Sequence, residues 1–288
     1  VGPPTYGPPP PPGTIRQRHT LLDVGTGLPD LPIDDGDNLE PSQIYLTDLR
    51  TSQTRRLTSP GTEDWRDAIP DGEARANADP DISPDGRYVL FTNRSPHSQE
   101  SFILRLDLVT GEVLSLTNAT AGAMPVSDAY PRWSPDGTTV AFTSVSGESV
   151  GIWQMNADGY GARALVDDGF VNTLPTWSPD GRSLAYASYR GADRAAALQL
   201  AAAPAAPLAQ TGWVLVRLDL ATGEQRVLAT PHSGSVLSPV WSPDGRKVAF
   251  VSMTATGRAD IYTVPAIGGP VLPMQLTLGS TELWVDWR

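Results

Sequence analysis

The chain has 288 residues, 40% of them hydrophobic and 18% charged, enough to bury a large core in one all-β domain or two smaller domains. Its 32 acidic and 21 basic residues give a net charge of -11 with no basic cluster; this argues against nucleic acid and anionic lipid, which bind through Lys and Arg. It has no cysteine, which excludes disulfides, thiolate catalysis and zinc–thiolate sites, and no apolar run approaches the ~18 residues of a membrane span.

The first residue is Val1, with no Met and no signal-peptide core. A processed or trimmed chain is expected, with its leader or anchor upstream. Residues 1–16 contain "GPPTYGPPPPPG". Consecutive prolines fix φ and remove donors, so a polyproline II or disordered arm is expected. It serves either as a spacer or as a docking arm for an aromatic groove or a neighbouring subunit. Residues 17–288 are expected to form one domain. Within it, 25–42 are rich in Gly, Pro and Asp and read as loop. The acidic run at 30–40 departs from calcium-loop spacing and reads as a solvated loop.

From Gln43 the texture changes to paired strands: "IYLTDL", a turn, then "TRRLT". Further on, one phrase occurs four times: "NADPDISPDGRYVLFTN" from Asn77, "DAYPRWSPDGTTVAFTS" from Asp128, "NTLPTWSPDGRSLAYAS" from Asn172 and "SVLSPVWSPDGRKVAFVS" from Ser235. Each copy is followed by another strand pair, at 102–106 and 113–116, 152–155 and 163–166, 214–218 and 225–228, and 261–264 and 274–277. The unit is thus four short strands. The motif serines at 83, 134, 178 and 242 are spaced by 51, 44 and 64 residues. The Ala-rich insertion at 190–212 accounts for the long interval; "DRAAALQLAAA" within it is compatible with one or two helical turns before Pro204. Without the insertion the period is about 44, in the range of four-stranded propeller blades.

Ser-Pro-Asp-Gly suits a type I turn, with Pro presetting φ at the second position and Gly at the fourth. Asp85, Asp136, Asp180 and Asp244 are expected to hold these turns by accepting hydrogen bonds from nearby donors. The flanking "VLF", "VAF" and "LAY" runs read as hairpins buried on both faces. Trp133, Trp177 and Trp241, with Ile82 in the first copy, are expected to set packing between blades, each indole burying roughly 200 Å².

The phrase P-x-W-S-P-D-G followed by "IY…D…G…LT" resembles the TolB-like β-propeller repeat, over residues 77–280. The resemblance implies a β-propeller of four-stranded blades. Five blades are counted; six is the alternative, needing a cryptic blade within 17–78. The chain ends "TELWVDWR", an inner strand without its hairpin, whereas the pair at 43–58 lacks an inner hairpin before it. A blade shared by the termini answers both deficits, with Glu282–Trp287 innermost, His19–Val24 second and Ile44–Leu57 supplying the outer two. Closure of this kind leaves no exposed sheet edge.

One end of every blade carries tight turns and the other carries long, unlike connections, roughly 59–76, 94–101, 118–127, 145–150, 167–171, 189–212, 229–236 and 253–259. Binding residues usually sit on the variable loops of a rigid scaffold. Three residues before each motif proline stand Asn77, Asp128, Asn172 and Val236, and Glu282 takes the same place by alignment with Val285. The polar four are expected at the tunnel mouth, either capping loop backbone or binding a partner's side chain, water or a hard cation such as Ca²⁺. "GESVG" at 147–151 matches G-x-S-x-G, but Ser149 lies between two strands rather than at a strand-to-helix elbow. His97 and His232 on long loops make a weak metal or acid–base pair.

The resemblance implies an extracytoplasmic (periplasmic or cell-surface) setting and a protein–protein role, and with no catalytic signature in the repeats a non-catalytic bacterial propeller that docks a protein partner within an envelope assembly is expected. A glycan-, small-ligand- or cation-binding propeller is the alternative, and a propeller hydrolase or lyase a more distant one.

Overall fold

The computed structural model describes residues 19–24, 43–48, 51–58, 76–95, 100–117, 126–192, 212–231, 235–253 and 259–274, with backbone only at 19–24, 126 and 253. The Pro-rich arm, the acidic run, most of the Ala-rich insertion, His97, His232, Glu282 and the strand expected at 282–287 lie outside them. The described residues are all-β, without a helix, and no helix among them is long and apolar enough to cross a membrane.

The chain divides into two compact units, Val1–Pro131 and Arg132–Arg288. In the first, β1 (His19–Val24), β2 (Gln43–Asp48) and β3 (Gln53–Arg56) form an antiparallel sheet in that order. Leu21 faces Leu46 and Tyr45 faces Arg56. The "HTLLDV" strand thus pairs with the 43–58 pair, as expected. The first repeat follows as β4 (Ala76–Ile82), β5 (Tyr88–Arg94), β6 (Ser101–Asp107) and β7 (Val113–Ser115), antiparallel throughout. β8 (Val126–Trp133) straddles the division and starts parallel to β6, at Ser101 and Ser127.

The second unit continues the second repeat with β9 (Thr139–Ser146), β10 (Ser149–Asn156) and β11 (Arg163–Val166). The third repeat is β12 (Val171–Trp177), β13 (Ser183–Tyr189), β14 (Trp213–Asp219) and β15 (Gln225–Ala229). The fourth is β16 (Leu237–Trp241), β17 (Lys247–Met253), β18 (Ala259–Pro265) and β19 (Leu272–Pro273). The last strand lies earlier than the 274–277 expected from its "LT" ending. Met274 N–H donates to Ile261 O, which places the β18 pairing at 272–274. No sheet closes on itself among the described residues.

Burial explains the order of strands. The second strand of each repeat has no polar face: Val89, Leu90 and Phe91, Val140, Ala141 and Phe142, Leu184, Ala185 and Tyr186, and Val248, Ala249 and Phe250 are all buried. A strand apolar on both faces must be covered on both. In the first unit Val89, Phe91, Leu104 and Leu106 pack with Ile44 of β2. In the second, Ala141 and Ile152 of the second repeat pack with Leu184, Tyr186, Val214 and Val216 of the third. The outermost strands are short and largely exposed, as in Arg163–Val166 and Gln225–Ala229.

Candidate functional site

At the tight-turn end the four copies repeat one set of hydrogen bonds. Ser83, Ser134, Ser178 and Ser242 donate their hydroxyls to Asp85, Asp136, Asp180 and Asp244 at 2.5–2.6 Å. Each Asp also accepts the N–H two residues on, from Arg87, Thr138, Arg182 and Arg246, at 3.0–3.1 Å. Each Ser Oγ accepts the N–H of the next strand's first residues, Tyr88, Thr139, Ser183 and Lys247. The turn closes by Gly N–H to Ser O at 2.8–2.9 Å. Gly86, Gly137, Gly181 and Gly245 hold φ between 68° and 73°, which L-residues adopt at a cost. The hydroxyls of Ser134, Ser178 and Ser242, followed by backbone N–H groups, hold the Asp136, Asp180 and Asp244 carboxyls below their ordinary pKa.

Within the second unit the indoles link successive repeats. Trp177 Nε1–H donates to Arg132 O at 3.1 Å, and Trp241 Nε1–H donates to Thr176 O at 3.2 Å. Each acceptor is the residue just before the preceding repeat's tryptophan. The Cα of Gly181 and Gly245 faces the preceding turn's proline, Pro135 and Pro179. The tryptophans therefore pack repeat against repeat.

The other end of the inner strands is built differently. Asp79, Tyr130, Leu174 and Ser238 all hold positive φ, from 43° to 58°, and none is glycine. All four stand immediately before the motif prolines Pro80, Pro131, Pro175 and Pro239. Pairing skips residues there, between Ala78 and Asp81, Thr173 and Thr176, and Leu237 and Val240. A proline inside a strand cannot donate to the ladder, and a bulge removes the need. The N–H displaced by the bulge finds a side chain: Tyr130 N–H donates to Thr92 Oγ1 and Leu174 N–H to Thr143 Oγ1, both at 3.2 Å. Each threonine belongs to the preceding repeat. The third repeat has Ala187 in the corresponding place, so it offers no hydroxyl to the fourth.

The polar residues expected at a mouth lie one or two positions before this bulge and are buried: Asn77 1%, Asp128 4% and Asn172 0% exposed. Asn77 and Asp128 belong to the first unit and Asn172 to the second. Asn77 Nδ2 donates to Gln43 Oε1 at 3.2 Å and Asn77 Oδ1 accepts from Asn93 Nδ2 at 2.8 Å. Gln43 Oε1 also accepts the Thr58 hydroxyl, which in turn accepts Ile44 N–H. This amide chain ties the first repeat to the β1–β3 sheet. Asp128 O accepts the Ser101 hydroxyl at 2.9 Å. Asn172 Nδ2 donates to Asp168 Oδ1 at 2.7 Å, while Asn172 Oδ1, like Asn93 Oδ1, is buried without a donor among the described residues. Val236 is buried, and Glu282 lies outside the described residues.

Two connections at this end are short: a two-residue turn at Gly147–Glu148 and the segment 167–170. Ser149 opens β10, and its hydroxyl donates to Asp167 Oδ1. With no helix among the described residues, the G-x-S-x-G match has no elbow to sit on. Nor is there, among the described residues, a group of three or more His, Asp or Glu able to hold a metal ion.

The bulge was missed by sequence reasoning, although a signal existed: a proline recurring inside an inner strand demands one. The threonine acceptors and the Gln43–Asn93 chain carry no such local mark.

With this geometry described, comparison with known proteins becomes specific. Residues 78–196 match the family model of the TolB beta propeller domain. That stretch, under half of the chain, holds the first two repeats and the inner hairpin of the third. A putative TolB from Agrobacterium tumefaciens has the same fold with TM-score 0.59 and 21% identity, over 82% of this chain and 70% of that one. TolB from Acinetobacter baumannii gives 0.55 and 24%, over 81% of this chain and 50% of that one. A puromycin-hydrolyzing peptidase from Mycobacterium tuberculosis gives 0.53 and 20%, over 82% of this chain but only 36% of that one. The described strands thus follow a TolB-like β-propeller fold that TolB proteins and a puromycin-hydrolyzing peptidase share. No curated protein matches the sequence.

Proposed function

We propose that the chain is a non-catalytic, extracytoplasmic β-propeller that docks a protein partner through the long-connection end of its inner strands. The observation that carries this reading is the contrast in hydrogen-bond satisfaction. At the tight-turn end every Ser-Asp-Gly group is used within its own turn. At the other end buried amide oxygens, Asn93 Oδ1 and Asn172 Oδ1, have no donor among the described residues. Unsatisfied buried acceptors are rare and call for an explanation; a partner's donor entering the mouth supplies one. The likeness to TolB supports a periplasmic or cell-surface setting and an envelope assembly.

In this reading residues 17–288 form one ring of five blades, six being the alternative. Glu282–Trp287 completes the blade begun by β1–β3, and residues 1–16 extend as an arm. Asn77, Asp128, Asn172 and Glu282 meet the partner. Among the described residues β1 pairs with β2 alone, which supports a first blade whose inner strand adds on the β1 side.

The test is capture from an envelope extract with the intact chain, against a chain carrying Asp128→Ala and Asn172→Ala. Loss of a captured protein, with melting retained, supports the reading. Equal capture by both chains defeats it. A second reading, a cation or small polar ligand at the same acceptors, is favoured by Asn172 Oδ1 beside Asp168. It predicts a melting shift of the chain with Ca²⁺ or glycans in the absence of any protein partner.

A further inference from the structure

Within the second unit, a cavity of about 630 Å³ lies at the tight-turn end between the third and fourth repeats. That volume is typical of sites for small organic ligands. Its apolar lining is Trp241 with Pro179, Pro243, Pro265, Ala266 and Ile267. Ile267 is 70% exposed, a large aliphatic side chain left in water at the rim. The cavity also carries four charges, Asp180, Asp244, Arg217 and Arg246.

These charges sum to zero, yet they are not equally satisfied. Asp180 and Asp244 each accept a serine hydroxyl and a backbone N–H inside their own turns. Arg217 is fixed by three donor contacts, but all go to neutral acceptors: Nε and Nη2 to Ser183 Oγ, and Nη1 to Ala266 O. No hydrogen bond or ion pair reaches the Arg246 guanidinium among the described residues; its charge only helps, behind the Ser242 hydroxyl and its own N–H, to lower the Asp244 carboxyl.

The first repeat shows what is missing. Arg87 occupies the position of Arg246, just after the turn glycine. Its Nε and Nη2 donate to Asp107 Oδ2 at 3.1 and 2.8 Å. Asp107 faces Tyr88 in the ladder, and the residue facing Lys247 in the same register is Pro265. The fourth repeat keeps the cation and has exchanged its carboxylate for a proline that forms part of the apolar wall.

We propose that this cavity binds a carboxylate attached to an apolar body. The carboxylate takes the place left by the absent acid and accepts hydrogen bonds from Arg246 and Arg217. The apolar body lies against Trp241, the three prolines and Ile267. A guanidinium is matched to a carboxylate bidentately, and such pairs outlast simple surface ion pairs when one side is walled by apolar groups. This site is at the other end of the strands from the proposed docking residues, so either reading can fail without the other.

The test uses the full chain, ¹⁵N-labelled, with the Trp241 indole N–H as reporter. The probes are 4-phenylbutyrate and its primary amide, then N-acetyl-leucyl-phenylalanine with a free and an amidated C-terminus. The acids are expected to bind at least tenfold more tightly than their amides. Binding by the dipeptide acid alone assigns the carboxylate to a peptide terminus; binding by both acids assigns it to free acids as well. Arg246→Gln, an exposed substitution, should reduce the preference below twofold. Pro265→Asp, which restores the first repeat's internal acid, should do the same with the arginine still present. Equal binding of acid and amide, no binding by any probe, or a preference surviving both variants would overturn the proposal.

Discussion

At the tight-turn end, four turns separated by 44 to 64 residues reproduce the same serine–aspartate contact within 0.1 Å and the same glycine φ within 5°. At the opposite end of the same inner strands, the four left-handed residues are Asp, Tyr, Leu and Ser. Their neighbours differ as much: an asparagine bonded to glutamine and asparagine in the first repeat, an asparagine bonded to an aspartate in the third, and a valine in the fourth. The turns of the uniform end satisfy their polar groups from residues two to five positions away. The variable end satisfies them from the preceding repeat, through Thr92 and Thr143. A locally closed turn has one solution and is copied. A site completed by a neighbour changes whenever the neighbour does, which is where a binding function can diverge without disturbing the scaffold.

The largest expected effect breaks the uniform end. Gly181→Val places a β-branched residue at φ 69°, and Gly86→Val, Gly137→Val and Gly245→Val do the same within a few degrees. Each should destabilise by about 2 kcal/mol, from the left-handed backbone penalty. Because the four sites are equivalent, the four losses measured by denaturant unfolding should agree. A spread much wider than the fitting error would show that the turns are not independent of their surroundings.

Next comes the variable end. Thr143→Val keeps shape and deletes the acceptor of Leu174 N–H, and Thr92→Val does so for Tyr130 N–H. Leaving a buried donor unsatisfied costs about 1–3 kcal/mol. Thr143 Oγ1 also lies 3.3 Å from Thr173 Oγ1, so its removal should cost more than that of Thr92. Hydrogen exchange at Tyr130 and Leu174 in the two variants is the direct readout. Unchanged protection would mean that the threonines do not hold the bulges.

A smaller effect concerns the links between successive repeats. Trp177→Phe retains most of the ring packing and removes the indole N–H donated to Arg132 O. Trp241→Phe does the same for Thr176 O. Each should cost about 1 kcal/mol in melting experiments, the net worth of one hydrogen bond.

These contrasts also explain what could be read from the sequence. The phrase around Ser-Pro-Asp-Gly was legible because its geometry is set by adjacent residues: proline at the second position, glycine at the fourth, aspartate between them. The strand pairs were legible from alternation, and most boundaries fall within one or two residues, as at Arg163–Val166. The last pair slipped to 272–273 because "PVLPMQLT" offers two apolar registers, and only the Met274–Ile261 bond selects one. The left-handed residues were hidden because no glycine marks them and a residue before proline ordinarily favours extended backbone; for Tyr130 and Leu174 the bulged N–H is received by a threonine some thirty to forty residues earlier. The exchange of Asp107 for Pro265 was on the page as two letters, but it acquires meaning only from the ladder that places each beside an arginine.

The smallest expected effect concerns pH and belongs to the uniform end alone. Hydroxyl and N–H donors hold Asp136, Asp180 and Asp244 below the ordinary carboxylate pKa in the folded chain. A group with a depressed folded pKa contributes its stability above the unfolded value. That contribution is lost as pH falls through the folded value, because the unfolded chain then binds the proton first. All three carboxylates are largely exposed, so each contribution is small after solvent screening. They titrate over one interval, below about pH 4, and their losses coincide. The melting temperature should therefore fall between pH 4 and pH 2 by less in a chain carrying Asp136→Asn, Asp180→Asn and Asp244→Asn than in the unaltered chain. The Arg87–Asp107 pair remains as an internal reference in both chains. Burial pushes the Asp107 carboxyl up, but Arg87 and the N–H groups of Val109 and Thr110 more than offset it, leaving the carboxyl low. An acid limb identical in the two chains would assign the pH dependence to Asp107 and its like, and would remove the turn carboxylates from it.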